Sequence, residues 1–159
     1  FRELYDRHVS SLYRFLRQYS DDSFHVEDWV QRAFIGAFQG IGSFRSTSKF
    51  STWLFTIALN EMRSDARRRD VVAFDSRELE SWDGRGEEQV DFLWVDAMKD
   101  GIRELDETKR TVFLLYEIEG YSHAEIGSLL GLGEGTSRAL LCRAKKILKA
   151  KLQQKENVA

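Results

Sequence analysis

The 159 residues predict an all-α protein made of two small helical domains joined by an acidic flexible linker. Three observations carry that expectation. Apolar residues recur at helical spacing along most of the chain, and no segment alternates apolar and polar residues long enough for a strand. Proline is absent, so no helix is interrupted by a missing amide donor. The charge is unevenly spread although the net value is only −2. Residues 1–69 carry 11 basic and 8 acidic side chains, 70–107 carry 4 and 13, 108–133 carry 2 and 3, and 134–159 carry 7 and 2. Two basic parts thus flank an acidic middle, a distribution suited to a nucleic-acid binder despite the near-neutral total.

The expected domains are residues 1–69, a linker over 70–91, a second domain over 92–152 and a tail over 153–159. Leu4, Tyr5, His8, Leu12, Phe15, Leu16 and Tyr19 suggest a first helix. Trp29, Ala33, Phe34, Ala37, Phe38 and Ile41 form one apolar face of a second. Trp53, Leu54, Ile57, Ala58 and Met62 mark a third, from about Ser51 to Arg69, so the first domain reads as a bundle of three or four helices. Residues 70–91 hold Gly84, Gly86 and many acids, as a linker does, with transient helix expected around Ser76–Trp82. Helical spacing resumes at Phe92, Val95, Met98, Ile102 and Leu105.

The second domain ends in the outline of a helix-turn-helix. Ser122-His123-Ala124-Glu125 has the capping-box pattern, and Ala124, Ile126, Leu129 and Leu130 continue a short helix. Gly131 suits the left-handed residue that closes it. Leu132-Gly133-Glu134-Gly135 then forms a turn into a helix beginning near Thr136, with Leu140, Leu141, Ala144, Ile147 and Leu148 inward. Small or polar residues at its start (Thr136, Ser137, Arg138, Ala139) allow close approach to base edges, and Arg138, Arg143 and Lys146 supply guanine or phosphate contacts. A two-helix hairpin with a solvated basic face is the plainer alternative.

A second candidate surface lies in the first domain. The segment Gly42–Phe50 is short, polar and basic, with Phe44, Arg45, Ser46, Lys49 and Phe50, and Trp53 follows. Aromatic faces beside cations suit unstacked bases. Asn60, Arg63 and the run Arg67-Arg68-Arg69 extend it. Phe50 and Trp53 could equally be core residues, and the arginine run a solvated helix end.

Other chemistry has little in its favour. No paired carboxylates, nucleophile-base set or phosphate-binding glycine loop is present, so no enzyme activity is expected. Cys142 stands alone, packed or idle, and His8, His25 and His123 are scattered, so neither metal nor cofactor is expected. No apolar run approaches the roughly 18 residues of a membrane span. The start at Phe1-Arg2-Glu3 has neither a leader pattern nor a methionine, as expected of a trimmed chain.

Several stretches resemble region 2 of extracytoplasmic-function (ECF) RNA polymerase sigma factors: Asp28-Trp29-Val30-Gln31-Arg32-Ala33-Phe34, then Phe44-Arg45 with Phe50-Ser51-Thr52-Trp53-Leu54, then Ile57-Ala58-Leu59-Asn60. Val112-Phe113-Leu114-Leu115, Glu119-Gly120-Tyr121-Ser122, Glu125-Ile126, Leu130-Gly131 and Gly135-Thr136 resemble region 4. The resemblance covers residues 1–69 and 92–152. It implies a subunit, not an enzyme, that lends promoter specificity to bacterial core RNA polymerase. Asp28, Gln31, Arg32 and Phe34 would dock on the β′ clamp helices. Phe44, Arg45, Ser46, Lys49, Asn60 and Arg63 would recognise the −10 element of promoter DNA. Thr136, Ser137, Arg138, Ala139, Arg143 and Lys146 would read the −35 element, and the linker would thread toward the polymerase active-site channel. An anti-sigma factor is the implied regulator and the cytoplasm, at the nucleoid or held near the membrane by that regulator, the implied location.

The sequence departs from the family pattern at Arg32, Gly127, Ser137, Ala139 and Leu140, with Gly127 expected to cost about 1 kcal/mol of helix propensity. A sigma-like decoy and a stand-alone helix-turn-helix regulator are the alternatives. The decoy need not keep the basic recognition face, and the regulator leaves the Phe44–Asn60 cluster unexplained.

Overall fold

The computed structural model describes residues 1–45, 48–72 and 92–156; Ser46, the expected transient helix at Ser76–Trp82 and the end of the tail lie outside the described residues. Every described element is helical. The chain divides into two compact units, Phe1–Gly84 and Arg85–Ala159.

Unit 1 holds α1 (Arg2–Leu16), α2 (Ser23–Gly40), a 3₁₀ turn at Ile41–Ser43 and α3 (Phe50–Val72). Asp22 caps α2 by accepting the Phe24 amide at 2.9 Å, so the helix starts well before its first expected apolar residue. Val26, Trp29, Val30, Ala33, Phe34 and Ala37 form its buried stripe. They pack on Leu12, Phe15 and Leu16 of α1 and on Leu54, Phe55, Ala58, Leu59 and Met62 of α3, the members of the same core. Helix α2 passes close to α3 because Gly36 and Gly40 leave no side chain between them: a Cβ on either would lie 3.2 Å from Ile57 or Trp53. Expectation and structure part at Phe38 and Ile41, both exposed instead of buried.

One polar contact fastens this packing. The Trp29 indole Nε1 donates to Asp65 Oδ2 at 2.9 Å, across 36 residues of sequence. Arg69 holds the same oxygen at 2.6 Å and lies over the Trp29 ring, 5.8 Å from its centroid. Arg69 is therefore tied into the α2–α3 seam and is not a free helix-end cation. Partial burial alone would raise the Asp65 pKa. The hydrogen bonds from Trp29 and Arg69, with the charges of Arg69 and Arg32, outweigh it and hold the carboxyl below its ordinary value.

Unit 2 holds α4 (Phe92–Glu104), α5 (Glu107–Phe113), a π-helical turn (Leu114–Ile118), α6 (His123–Leu130) and α7 (Glu134–Glu156). Asp106 breaks α4 from α5 by capping the Lys109 amide at 3.0 Å. The expected capping box is present: Ser122 Oγ accepts from the Glu125 amide at 3.2 Å, and Glu125 Oε2 accepts from the Ser122 amide at 2.8 Å. Gly131 has φ +68°, the left-handed closure expected. The turn is tighter than the sequence suggests, since α7 starts at Glu134 and takes in Gly135.

That tightness explains Gly127. The Leu132 amide donates back to the Gly127 carbonyl at 2.8 Å, and a Cβ on residue 127 would lie 2.6 Å from the Leu132 carbonyl oxygen. The glycine is what lets the turn fold over α6, and the turn it permits is what offsets its propensity cost.

Two stability measurements follow from these contacts. Gly127→Ala should destabilise the protein by up to about 2 kcal/mol in urea unfolding, because a backbone clash of about 1–3 kcal/mol outweighs the roughly 1 kcal/mol of helix propensity regained. Asp65→Asn should cost about 1–2 kcal/mol at pH 7, below the full value of a charged hydrogen bond because Arg69 is half-exposed. A depressed folded-state pKa contributes stability above the unfolded value and loses it as pH falls through the folded one. The gap between wild type and Asp65→Asn should therefore close in melts taken on the acid side of the ordinary carboxylate pKa.

Candidate nucleic-acid interface

Three surfaces emerge from these elements, two on unit 1 and one on unit 2. On unit 1 the outward side of α2 carries Phe24, Asp28, Gln31, Ile35 and Phe38, spaced 4, 3, 4 and 3 residues apart. That is heptad spacing, the pattern that seats a helix against another helix. Phe24 is 74% exposed, Ile35 55% and Phe38 60%, so the apolar members face water. Asp28 and Arg32 pair along the edge at 2.8 Å. Phe34, expected on this face, is instead buried at 4% exposure beside Phe1 and Tyr5. Phe24, Ile35 and Phe38 escape a sequence reading because the buried stripe, richer in large apolar residues, dominates the helical pattern.

The second surface joins the segment before α3 to α3 itself. Phe44 lies 4.9 Å from Trp53 and 6.1 Å from Phe50, and Phe50 lies 5.8 Å from Trp53. All three rings are half-buried, forming an aromatic shelf that keeps part of its surface open to solvent. His8 of α1 braces Phe50 at 5.6 Å, and desolvation, then the Arg7 charge, lowers its pKa. Arg45 and Lys49 are exposed around the shelf. Asn60 and Arg67, both exposed, follow Trp53 at seven and fourteen residues and so continue its face of α3, with half-buried Arg63 alongside. Seven residues are two turns, about 10 Å of helix.

The third surface is α7. Its inward stripe is Ser137, Leu141, Ala144 and Leu148, all buried. Thr136, Arg138, Ala139, Arg143 and Lys146 are exposed as expected. Ser137 is the exception: it is 0% exposed and its Oγ lies 3.0 Å from His123 Nδ1, which removes it from any outward-facing set. Cys142, expected to be packed or idle, is exposed on the same helix.

Acidic partners hold several of the α7 cations. Arg138 pairs with Glu134 at 2.5 Å and Lys145 with Glu117 at 2.5 Å, while Lys151 pairs with Glu104. The Glu117 hydrogen bond raises the Lys145 pKa. Among the described residues Arg143, Lys146 and Lys149 carry no ion pair, and their three-residue spacing places them along one edge of the helix. No described helix is long and apolar enough to cross a membrane.

Comparison with known proteins matches both units. Residues 4–71 match the model of Sigma-70 region 2, and residues 96–148 that of Sigma-70, region 4. The chain is 31% identical over 141 residues to the ECF RNA polymerase sigma-E factor of Haemophilus influenzae, covering 80% of this chain and 75% of that one. It is 29% identical over 145 residues to the ECF RNA polymerase sigma factor SigM of Mycobacterium tuberculosis, covering 91% and 73%. Among solved structures it resembles the sigma factor RpoE in complex with the anti-sigma factor NepR from Bartonella quintana, with a TM-score of 0.83 and 25% identity over 96% of both chains.

Proposed function

Because the chain belongs to the ECF group of sigma-70 factors, a family of transcription initiation factors, we propose a specific division of its work among the three surfaces described above. The protein binds bacterial core RNA polymerase and directs it to promoters. Residues 1–69 act as region 2, residues 92–152 as region 4, residues 70–91 link them, and residues 153–159 are a tail.

The observation that carries this division is the heptad ridge of α2. A heptad-spaced line that carries large apolar side chains in water at its two ends, Phe24 at one and Ile35 with Phe38 at the other, suits a helical partner. We assign that partner to the β′ clamp helices, with Phe24, Ile35 and Phe38 as anchors, Asp28, Gln31 and Arg32 at the rim, and Phe34 supporting the helix from beneath. The aromatic shelf, with Arg45, Ser46, Lys49, Asn60 and Arg63, takes an unstacked base of the opened −10 element. Stacking is worth roughly 1–3 kcal/mol per base, against about 1.4 kcal/mol per duplex step opened, so melting is confined to well-matched promoters. Helix α7 reads the −35 element through Thr136, Arg138, Ala139, Arg143 and Lys146, and Ser137 works from the buried side. No covalent chemistry is assigned to the protein.

Electrostatics explain why such a subunit needs its polymerase. With Arg143, Lys146 and Lys149 the α7 cations outside ion pairs among the described residues, the counterion return on duplex DNA is small. An anti-sigma factor, such as the one in complex with the Bartonella protein, is the expected regulator. The expected location is the cytoplasm, at the nucleoid or near the membrane when that regulator is anchored there.

Transcription from a promoter library by core polymerase, with and without the protein, tests the reading. Protein-dependent starts should lie at a fixed distance from one shared two-part motif; their absence with folded protein would overturn it. Variants separate the ridge from the core. Ile35→Ala and Phe38→Ala should each weaken core-polymerase binding by about 1–2 kcal/mol, roughly tenfold, with little change in melting. Phe34→Ala should instead lower stability by about 3–5 kcal/mol.

A further inference from the structure

The buried stripe of α7 is apolar except at its first position. Ser137, Leu141, Ala144 and Leu148 all face inward, and the serine is as buried as any of them. A leucine or valine would anchor the helix there without a polar group to satisfy. A hydroxyl adds direction: the bond forms only when donor and acceptor are correctly aligned. Its partner is Nδ1 of His123, 3.0 Å away, on the first residue of α6.

His123 is itself held in place. It is 9% exposed and its ring stacks on Tyr116 at 4.4 Å with the planes 19° apart. Tyr116 belongs to the π-helical turn, whose wide 114-to-119 hydrogen bond of 3.0 Å precedes the closure at Gly120. On the other side, the Ser122 capping box fixes the backbone immediately before His123. The ring is thus stacked on the π-helical turn while the cap fixes its backbone, and it reaches the opening turns of α7, next to Thr136, Arg138 and Ala139.

We infer that His123 is a positioning residue for base reading: through Ser137 it sets the rotation of the first turns of α7, and so where Thr136, Arg138 and Ala139 meet the base edges. The inference rests on α7 being the −35 reader proposed above. Rotation is the sensitive coordinate because successive residues sit about 100° apart around a helix of about 3.6 residues per turn, so a small turn moves several side chains across the groove together.

The test is transcription by core polymerase from a library randomised only in the −35 element, read as base preference, with core-polymerase affinity measured in parallel. Ser137→Ala, and His123→Phe, which keeps a ring for Tyr116, should each lower the ratio of matched to scrambled −35 transcription roughly three- to tenfold, the value of one buried hydrogen bond lost. Preference should flatten while core-polymerase affinity stays at the wild-type value. His123→Asn, which keeps a polar atom near the Nδ1 position, should recover part of the preference. The double variant His123→Phe/Ser137→Ala leaves no orphaned polar atom and guards against simple unfolding. It should fold and still show flattened preference.

Wild-type preference in the double variant, or in both single variants, would overturn the inference, as would a uniform fall in transcription with preference intact. Arg138→Ala and Arg143→Ala serve as controls. If both leave preference unchanged, α7 is not the reader and the inference falls with that reading; if they flatten it and the His123 and Ser137 variants do not, the positioning role alone has failed.

Discussion

Unit 1 depends on the seam between α2 and α3, and the seam depends on the indole of Trp29 finding Asp65. Glycines at 36 and 40 let the helices approach, but close approach by itself leaves their rotation loosely defined. A single hydrogen bond across 36 residues, backed by Arg69 on the same oxygen, removes that freedom. With α2 fixed in rotation, its heptad ridge faces out and Phe34 faces in. With α3 fixed, the shelf at Trp53 and the polar line through Asn60 and Arg67 share one face. The polymerase-facing and DNA-facing surfaces assigned to unit 1 thus lie on opposite partners of one joint.

Unit 2 solves the same problem differently. Its two-helix motif is drawn together by a turn so short that residue 127 has no room for a side chain. The turn sets the distance between α6 and α7, while the His123–Ser137 bond orients them. Acidic side chains on three different elements, Glu134, Glu117 and Glu104, then draw in three of the α7 cations. What remains is a narrow basic edge, well suited to adding selectivity to a larger DNA-binding assembly.

Much of this was legible in the residues. The helical class followed from periodicity, and the cap at Ser122 and the closure at Gly131 followed from local hydrogen-bond chemistry, which needs only neighbouring residues. Errors arose wherever a tertiary contact decided the outcome. The spacing of Phe38 fits the buried stripe about as well as the exposed one, and only the position of α3 separates them. A polar residue early in such a helix, as Ser137 is, ordinarily points outward; the histidine that turns it inward lies 14 residues away. Helix propensity marks Gly127 only as a cost; its reason is the Leu132 carbonyl, which propensity does not see. The partnership of Trp29 with Asp65 had no local signal at all.

The bare ridge on α2 links occupancy to lifetime. Three large apolar side chains in water are a standing hydration cost, relieved whenever any partner covers them. Binding to the folded form alone adds stability in proportion to the logarithm of partner concentration over its dissociation constant. Polymerase and any antagonist that covers the same face would each act as a stabiliser, and the unaccompanied subunit would be the form that opens most readily to proteases. A cell could then clear surplus copies without a dedicated degradation tag, because the helix face assigned to the partner also exposes the copies that have none.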